Sequence, residues 1–337
     1  MKYSVIIPVF NRPDEVDELL ESLTAQTEKD FDVIVVEDGS QNPCEEICGK
    51  YDGRLDIRYF MKKNSGPGPS RNYGVERADG EYVLILDSDC VLPPTYLEAI
   101  TKELDREPCD AFGGPDRAHE SFTPVQKAIS YSMTSFFTTG GIRGGKKKMD
   151  KFYPRSFNMG VRRDVYEALG GFSKMRFGED IDFSIRIFEG GYKCRLMPDA
   201  WVWHKRRTDM DKFFRQVFNS GIARINLMKR HPGSLKLVHL LPAAFTVGVT
   251  LLLVASLVLR LTGSWLWLYT LLPVEVYCVL LFIDASVRNK SMTIGILAVE
   301  AAFVQLFGYG LGFIKAWWQR CVLSKGEFSA YEKNFYD

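Results

Sequence analysis

Acidic side chains follow two apolar runs in the first hundred residues. Asp38 comes two residues after the first of these runs, Phe31–Val36. Asp87 and Asp89 follow Tyr82–Leu86. Carboxylates at the end of a buried strand point into the crevice where ligands bind, and such hard oxygen ligands suit Mg²⁺ or Mn²⁺. The spacing therefore predicts a divalent cation that would neutralise the charge on a departing diphosphate, while Asp38 would accept hydrogen bonds from a base or ribose.

A glycine- and proline-rich loop at residues 66–69 enters the next helix-like stretch. Its glycines would let the backbone approach a nucleotide closely, and Arg71 just after it could contact phosphate or hold Asp89. The alternative is that Arg71 is simply paired with one of the nearby acids. A third acidic cluster, at residues 179–182, has two adjacent carboxylates and ends with Asp182, which we expect to cap the following helix.

Short apolar runs alternate with helix-like stretches over this part of the chain. The runs are rich in Val, Ile, Leu or aromatic residues, as expected of strands that are buried on both faces. The predicted strands are Tyr3–Phe10, Phe31–Val36, Leu55–Phe60 and Tyr82–Leu86, and the predicted helices begin at Pro13, Pro67 and Pro93. This alternation predicts an α/β fold with right-handed crossovers and a mostly parallel sheet that has helices on both faces. In such a sheet, ligands bind beyond the carboxyl ends of the strands, where the acidic side chains lie.

The composition is that of a folded protein. The chain has 337 residues, of which 46% are hydrophobic and 25% charged, and this excludes a disordered chain, a collagen-like fibre and a small disulfide scaffold. Its formal charge of +1 indicates no nucleic-acid partner. The charge is unevenly placed, because residues 1–118 hold 13 Lys/Arg and 25 Asp/Glu, whereas residues 119–337 hold 30 and 17. The acidic part contains the predicted cation site.

Three segments with few or no charges follow residue 236. They are Leu237–Leu259, Leu261–Ile283 and Ser291–Ile314. Each is longer than the roughly 20 residues that cross a bilayer core, although buried core helices or one re-entrant segment are alternatives. Glu275 and Glu300 within them either have a function or lie near an interface or inside a helix bundle.

The stretch 201–236, just before these segments, carries nine basic and two acidic residues. This excess predicts that the N-terminal part stays on the cytosolic side and that the stretch favours anionic headgroups. Three full crossings would put the basic tail at 317–337 on the opposite side, which conflicts with the charge pattern. The N-terminus has no secretory signal and the seven cysteines form no compact framework, and both features fit a cytosolic domain.

Five sequence motifs, taken in order, resemble those of the family 2 glycosyltransferases. They are Ser4–Arg12, Val35–Ser40, Ser70–Gly74, Leu86–Asp89 and Gly178–Asp182. The resemblance covers roughly residues 3–230, and it implies a Rossmann-like GT-A fold and an inverting transferase that uses a nucleotide-diphosphate sugar and Mg²⁺ or Mn²⁺. We therefore predict a catalytic domain at 1–230, a membrane region with about three hydrophobic helices at 231–316 and a tail at 317–337.

The resemblance implies a role for each site residue. Asp180 matches the catalytic base, with Glu179 beside it at the acceptor, and inversion needs such a carboxylate to deprotonate the attacking hydroxyl. The nucleotide-sugar site would consist of Pro8, Phe10, Asn11, Arg12, Asp38, Gly39, Arg71, Asp87 and Ser88. The metal site would consist of Asp89, Asp87 and His204, although His204 is equally well a structural histidine. Asn158, Met159 and Gly160 match a segment on the acceptor side.

Together these features predict a metal-dependent hexosyltransferase of the cytoplasmic (inner) membrane, multi-pass, with its catalytic domain facing the cytosol. Residues 216–220 do not match the Gln-x-x-Arg-Trp motif of processive relatives, which favours transfer of a single sugar. The acceptor would be a lipid-linked saccharide or another envelope glycolipid, in the synthesis of a cell-envelope polysaccharide. Direct transfer to a polyprenyl phosphate and an inactive nucleotide-binding scaffold are the alternatives. A basic loop at 140–151 would close over an anionic acceptor or be an ordinary solvated loop.

Overall fold

The computed structural model describes residues 2–117, 122–139, 152–175, 177–205 and 207–327. These residues belong to two compact units. The first holds 2–117, 152–175 and 177–205, and the second holds 122–139 and 207–327. This division differs from the predicted boundary at residue 230, because residues 122–139 and 207–230 pack with the C-terminal helices. The basic loop predicted at 140–151 lies outside the described residues.

The strands lie in the first unit. They are β1 (Tyr3–Val9), β2 (Phe31–Asp38), β3 (Ile57–Lys62), β4 (Tyr82–Leu86), β5 (Cys90–Val91), β6 (Ala111–Gly113), β7 (Asp116–Arg117), β8 (Asn158–Arg162), β9 (Cys194–Leu196) and β10 (Val202–His204). Within the described residues, one sheet has the order β3-β2-β1-β4-β8-β6-β9 and a small sheet has the order β5-β10-β7. In the large sheet β1 pairs in parallel with β2 and β4, and β2 with β3, whereas β8 runs antiparallel to β4 and β6. The predicted mostly parallel sheet is confirmed.

The helices are divided between the two units. Those of the first unit are α1 (Pro13–Thr24), α2 (Glu45–Gly49), α3 (Pro67–Val75), α4 (Tyr96–Arg106), α7 (Arg163–Ala168) and α8 (Glu179–Glu189). Those of the second unit are α5 (Pro124–Thr134), α6 (Phe136–Thr139), α9 (Met210–Arg230), α10 (Leu241–Leu261), α11 (Trp267–Thr270), α12 (Leu272–Asn289) and α13 (Met292–Trp317). A 3₁₀ turn (Leu237–Leu240) precedes α10, and a π-helical turn (Trp318–Val322) follows α13.

Strand β1 is buried on both faces, as its continuous apolar sequence predicts. Val5 and Ile7 pack in one hydrophobic cluster with Leu19 of α1. Ile6 packs in a second cluster with Val75 of α3. Because successive side chains of a strand point to opposite faces, the sheet has a helix layer on each side.

The small sheet determines where the segment after β4 lies. Strand β5 begins four residues after the end of β4, so residues 87–89 are held between the two sheets. Strand β10 pairs antiparallel with β5, with His204 opposite Cys90. A residue from the end of the first unit is thereby brought beside the acidic segment.

The second unit is built around α13, which packs against α5, α9, α10 and α12. A Cβ on Gly312 would lie 2.0 Å from the carbonyl oxygen of Phe218 on α9, and one on Gly310 would lie 2.5 Å from that of Pro242 on α10. Small residues at such crossings are typical of packed membrane helices. Thr246, four residues after Pro242, contacts the carbonyl of Leu306, four residues before Gly310, so α10 and α13 run antiparallel.

Two helical segments among the described residues are long and apolar enough to cross a membrane. They are Leu237–Leu261 and Met292–Val322. The predicted segment Leu261–Ile283 is not one continuous helix, because helical structure breaks at residues 262–266. Helix α12, which follows, carries three charged residues, Glu275, Asp284 and Arg288. Because of these charges, it is not one of the two segments that are apolar enough to cross a membrane.

Candidate active site

The carboxyl ends of β1, β2 and β4 lie at one edge of the large sheet, as parallel pairing requires. Asp38 ends β2 and is buried. Its carboxylate accepts hydrogen bonds from the backbone N–H groups of Ser65 (2.9 Å) and Gly66 (2.7 Å), and it pairs with the ammonium group of Lys62. Each carboxylate oxygen of Asp38 therefore already accepts a hydrogen bond from the loop that leads into α3.

The turn after β1 connects the ends of three strands. Asn11 adopts a left-handed φ of 53°, its N–H donates to Oγ of Ser40 at 2.7 Å, and its Oδ1 accepts from the N–H of Gln41 at 2.8 Å. The next residue, Arg12, places Nη1 2.7 Å from Oδ2 of Asp89. The turn thus joins the loop after β2 to the acidic segment after β4.

Four other predicted nucleotide-site residues lie at the same edge. Pro8 is near the end of β1 and Phe10 follows the strand, and both are half-buried. Gly39 follows β2 at a φ of 75°, and a Cβ there would lie 2.7 Å from the backbone nitrogen of Asn64, so the position requires glycine. Ser88 is buried in the segment after β4.

Arg71 of α3 connects two acidic clusters. Its guanidinium is buried, with Nη2 2.8 Å from Oδ1 of Asp87 and Nη1 3.0 Å from Oε1 of Glu179. Of the alternatives predicted for Arg71, pairing with nearby acids is the one formed, whereas Asp89 pairs with Arg12. Charge-assisted hydrogen bonds of this kind fix geometry more strongly than neutral ones do, so Arg71 holds the segment after β4 against the start of α8.

Helix α8 begins with the two predicted catalytic carboxylates. Gly178 precedes it in a left-handed conformation with a φ of 85°. Burial raises the pKa of Glu179 to about 7, although Arg71 acts in the opposite direction. Asp180 is partly exposed and pairs with Nη1 of Arg155 at 3.2 Å. The two neighbouring carboxyl groups therefore have different environments, one buried against Arg71 and one at the surface of the site.

Asp182 does not cap the helix, contrary to the prediction. It lies inside the first turn of α8 and pairs with Nη2 of Arg186 at 2.9 Å. Arg186 also donates to the backbone carbonyl groups of Leu169 and Gly171, at 2.6 Å each. Asp182 thus helps to fix the loop before α8, and Gly178 occupies the cap position.

Replacing Glu179 with glutamine is expected to remove a pH dependence of stability between about pH 4.3 and 7. Because the pKa of folded Glu179 lies above its unfolded value, the folded protein binds more protons in this window. The free energy of unfolding of the wild type, measured relative to the variant, should therefore fall as the pH rises. Thermal unfolding of both proteins at the two ends of the window measures this difference.

Glu189→Gln is the control for this experiment, because it removes the same charge at the exposed end of α8. We expect its unfolding free energy to follow that of the wild type across the window. If the difference in unfolding free energy between the wild type and Glu179→Gln does not change with pH, the pKa of Glu179 is not raised.

Asp89, Cys90 and His204 bring an oxygen, a sulfur and a nitrogen within 4.8 Å of one another. His204 Nε2 lies 3.1 Å from Oδ1 of Asp89. This Oδ1 is buried, and its described neighbour is the imidazole of His204. Asp87, the other predicted metal ligand, is not part of this group among the described residues and pairs with Arg71 instead.

The chemistry of this group fits a divalent cation held by oxygen and nitrogen. Burial opposes the charged form of Asp89, but His204 and Arg12 hold the pKa of its carboxyl well below the usual range, so an anionic ligand is present. Burial raises the pKa of the Cys90 thiol, which keeps it protonated, and its Sγ lies 3.4 Å from the carbonyl oxygen of Phe157. Asp89 and His204 are therefore the residues that could hold Mg²⁺ or Mn²⁺.

The residues predicted on the acceptor side form the start of β8, inside the sheet. Asn158 is buried, its Oδ1 accepts from the hydroxyl of Tyr96 at 2.7 Å, and its Nδ2 donates to the carbonyl of Ala200 at 2.8 Å. Met159 is buried, and a Cβ on Gly160 would lie 2.1 Å from the Phe112 ring. The side chains of Asn158 and Met159 are thus packed or hydrogen-bonded within the sheet, and their place on the acceptor side stays a prediction.

Two basic residues of the site were missed by the sequence analysis. Lys62 pairs with Asp38, and its position two residues after a predicted strand is the same signal that identified the acids. Arg155 pairs with Asp180, and the sequence has no periodicity or motif around it that indicates this contact. Both pairs place a positive charge next to a predicted functional carboxylate.

Sequence comparisons identify relatives of the chain. The model of the family described as Glycosyl transferase family 2 matches residues 4–170. Glycosyltransferase AglE of Haloferax volcanii is 26% identical over 250 residues, which are 73% of this chain and 80% of that protein. An uncharacterized glycosyltransferase of Rickettsia felis is 47% identical over 88 residues, which are 26% of this chain and 15% of that protein's length.

A solved structure has a similar fold. Mannosyltransferase PcManGT from Pyrobaculum calidifontis, in complex with GDP-Man and Mn²⁺, matches with a TM-score of 0.67 at 16% sequence identity, over 95% of this chain and 88% of that one. This similarity agrees with the GT-A fold, with its mostly parallel sheet and flanking helices. The family match shows that residues 4–170 of the chain form a domain of the glycosyl transferase family 2.

Proposed function

We propose that the chain transfers a single sugar, with inversion, from a nucleotide-diphosphate sugar to a lipid-linked saccharide at a membrane. The observation that carries this proposal is the bridge formed by Arg71 between Asp87 and Glu179. It connects the acidic segment after β4, on the donor side, to the acidic start of α8, on the acceptor side. A transferase needs these two sides at a fixed distance from each other.

On the donor side, the nucleotide would lie against the edge formed by β1, β2 and β4. Pro8 and Phe10 would contact the base. Asp38 would contribute indirectly, because its hydrogen bonds fix the loop at Ser65 and Gly66. Asp87, whose side chain is 30% exposed, can still accept a hydrogen bond from the ribose or sugar. The GDP-Man in PcManGT supports a donor of this class.

The metal would be held by Asp89 and His204. A divalent cation bound there supplies positive charge to the departing diphosphate. Arg12 holds the other oxygen of Asp89, which orients the carboxylate before any cation binds. The Mn²⁺ in PcManGT supports a metal of this kind.

Asp180 is the proposed general base. Its carboxylate is partly exposed, so an acceptor hydroxyl can reach it, and Arg155 orients it through Oδ2. Asp180 would take the proton of the attacking hydroxyl while the sugar is transferred. Glu179 lies next to it and is held by Arg71, so it would shape the acceptor side.

The second unit would anchor the enzyme in the cytoplasmic membrane. If Leu237–Leu261 and Met292–Val322 both cross the membrane, their antiparallel packing would return the chain to the side from which it entered. Arg320, after α13, contacts Asn226 on α9, which agrees with both ends lying on one side. The basic stretch 201–236 and the basic end of α13 would then both face the cytosol, as the positive-inside trend predicts.

The test uses the full chain purified in detergent. Nucleotide sugars are screened for release of the nucleoside diphosphate with Mn²⁺, with Mg²⁺ and with a chelator, in the presence of lipid-linked saccharide acceptors. We expect metal-dependent turnover and a lipid product longer by one sugar, identified by mass spectrometry. A monosaccharide on a polyprenyl phosphate would identify the alternative acceptor, and no turnover with any donor would refute an enzymatic function.

A further inference from the structure

The imidazole of His204 stacks against an aromatic ring from a different part of the first unit. The ring centroids of His204 and Phe157 lie 4.7 Å apart, and the angle between the two ring planes is 19°. Rotation of the imidazole about its Cβ–Cγ bond would lose this stacking, so the Phe157 ring favours one orientation of the imidazole plane. In that orientation Nε2 of His204 lies 3.1 Å from Oδ1 of Asp89.

The separation of these two atoms suits a shared cation. Mg²⁺ binds its ligands octahedrally with bonds of about 2.1 Å, which places neighbouring ligand atoms about 3 Å apart. Nε2 of His204 and Oδ1 of Asp89 already have this spacing. The imidazole orientation that Phe157 favours is therefore one in which both residues can bind the same ion.

Phe157 is itself held in place. Its carbonyl oxygen accepts a hydrogen bond from the thiol of Cys90 at 3.4 Å, and its ring packs against one of the hydrophobic clusters of the first unit. Cys90 follows Asp89 in the chain and lies opposite His204 in the pairing of β5 with β10. Phe157 therefore contacts both the neighbour of Asp89 in sequence and the histidine beside its carboxylate.

The turn that carries Phe157 also carries a contact to the proposed base. The N–H of Asn158 donates to the carbonyl of Arg155 at 3.0 Å, which closes a turn over residues 155–158. Arg155, two residues before Phe157, pairs with Asp180 at 3.2 Å. One short turn thus contacts the proposed base through its first residue and the proposed cation ligand through its third.

We propose that Phe157 is a positioning residue for the cation site, which acts by holding the imidazole of His204 in the orientation that faces Asp89. Without the aromatic ring, the imidazole would sample further rotamers, and binding of a cation would have to restrict them again. The affinity for the cation would then fall, although both ligand side chains would remain. The inference rests on the cation site of the proposed function and does not depend on which sugar is transferred.

The test measures Mn²⁺ binding to the full chain in detergent, from the paramagnetic resonance signal of the free ion. We expect Phe157→Leu to weaken the Kd of Mn²⁺ about tenfold, as is typical when a residue that orients a metal ligand is lost. Phe157→Tyr keeps the ring and should bind Mn²⁺ as the wild type does. Tyr153→Leu is the matched control, because the ring that it removes makes its aromatic contact with Phe188 of α8. Its Kd should equal the wild-type value.

A second readout separates positioning from a loss of folded protein. In the transfer reaction, the Mn²⁺ concentration that gives half of the maximal rate should rise about tenfold in Phe157→Leu. The rate at saturating Mn²⁺ should stay near that of the wild type. Partial unfolding would instead lower the maximal rate and leave the half-saturating concentration unchanged.

Equal Kd values for the wild type and Phe157→Leu would overturn the proposal, and so would an equal weakening in Phe157→Leu and Tyr153→Leu. If Asp89→Asn binds Mn²⁺ as tightly as the wild type does, the cation site is refuted and this inference with it. If the wild type binds Mn²⁺ through Asp89 but transfers no sugar, the transferase proposal alone fails.

Discussion

Replacing Asp180 with asparagine is expected to reduce the rate of sugar transfer by at least about 100-fold, with donor binding retained. Asparagine keeps the size of the side chain and an oxygen for Arg155, but it cannot take the proton of the acceptor hydroxyl. The rate of metal-dependent transfer and the Kd of the donor, measured separately, check this expectation. Since Asp180 is partly exposed and its pair with Arg155 is near the surface, the midpoint of thermal unfolding should change little.

Two variants decide whether Asp180 is the base. Glu189→Gln, at the other end of α8, should transfer sugar at the wild-type rate. Glu179→Gln should lose less activity than Asp180→Asn, because Glu179 is buried and held by Arg71. If the rate falls further in Glu179→Gln than in Asp180→Asn, the roles of the two carboxylates are reversed.

Replacing Arg71 with methionine is expected to lower the free energy of unfolding by about 3–5 kcal/mol. Methionine fills much of the same volume but removes the positive charge between Asp87 and Glu179. Glu179 would then be a buried carboxyl group without its partner, and this costs more than the original pair contributes. Denaturant unfolding of the full chain in detergent measures the loss.

Arg77→Met is the matched control, since Arg77 follows α3 and is partly exposed, with its closest acid at 3.4 Å. Its effect should stay below about 1 kcal/mol, as for other exposed pairs. Arg71→Lys should recover only part of the loss, because an ammonium group cannot bind two carboxylates in the geometry of a guanidinium fork. A loss below about 1 kcal/mol in Arg71→Met would show that the bridge does not hold the two segments together.

The main sheet was predictable because its strands are buried on both faces. A continuous apolar run leaves few other structures possible, so Phe31–Val36 and Tyr82–Leu86 were found within two residues of their observed ends. The same reasoning failed for Leu261–Ile283. An apolar composition does not reveal where a helix ends, and here the chain turns at residues 262–266 before α12 begins.

The partners of the site residues were less predictable than their location. The ends of parallel strands meet at one edge, so the acids were expected to lie together. Which acid a guanidinium contacts depends on side-chain directions, and Asp87 and Asp89 are only two residues apart. Arg71 pairs with the first and Arg12 with the second, and sequence spacing alone does not distinguish these arrangements.

The pairing of β5 with β10 was missed for a different reason. Each of these strands has two or three residues, which is too short for an alternating pattern to be recognised. The resemblance to a family suggested a role for His204, but no feature of the residues themselves indicated that it would lie beside Asp89.

This pairing also sets the order in which the site is assembled during synthesis. Asp89 and His204 are more than 100 residues apart, and β10 is the last strand among the described residues. The residues of the edge formed by β1, β2 and β4 all lie within about the first 90 of the chain, so they leave the ribosome first. Closing the long connection to β10 costs loop entropy, which the contacts of β10 must offset. A nascent chain therefore contains the residues of this edge well before it contains both members of the pair that could hold a cation.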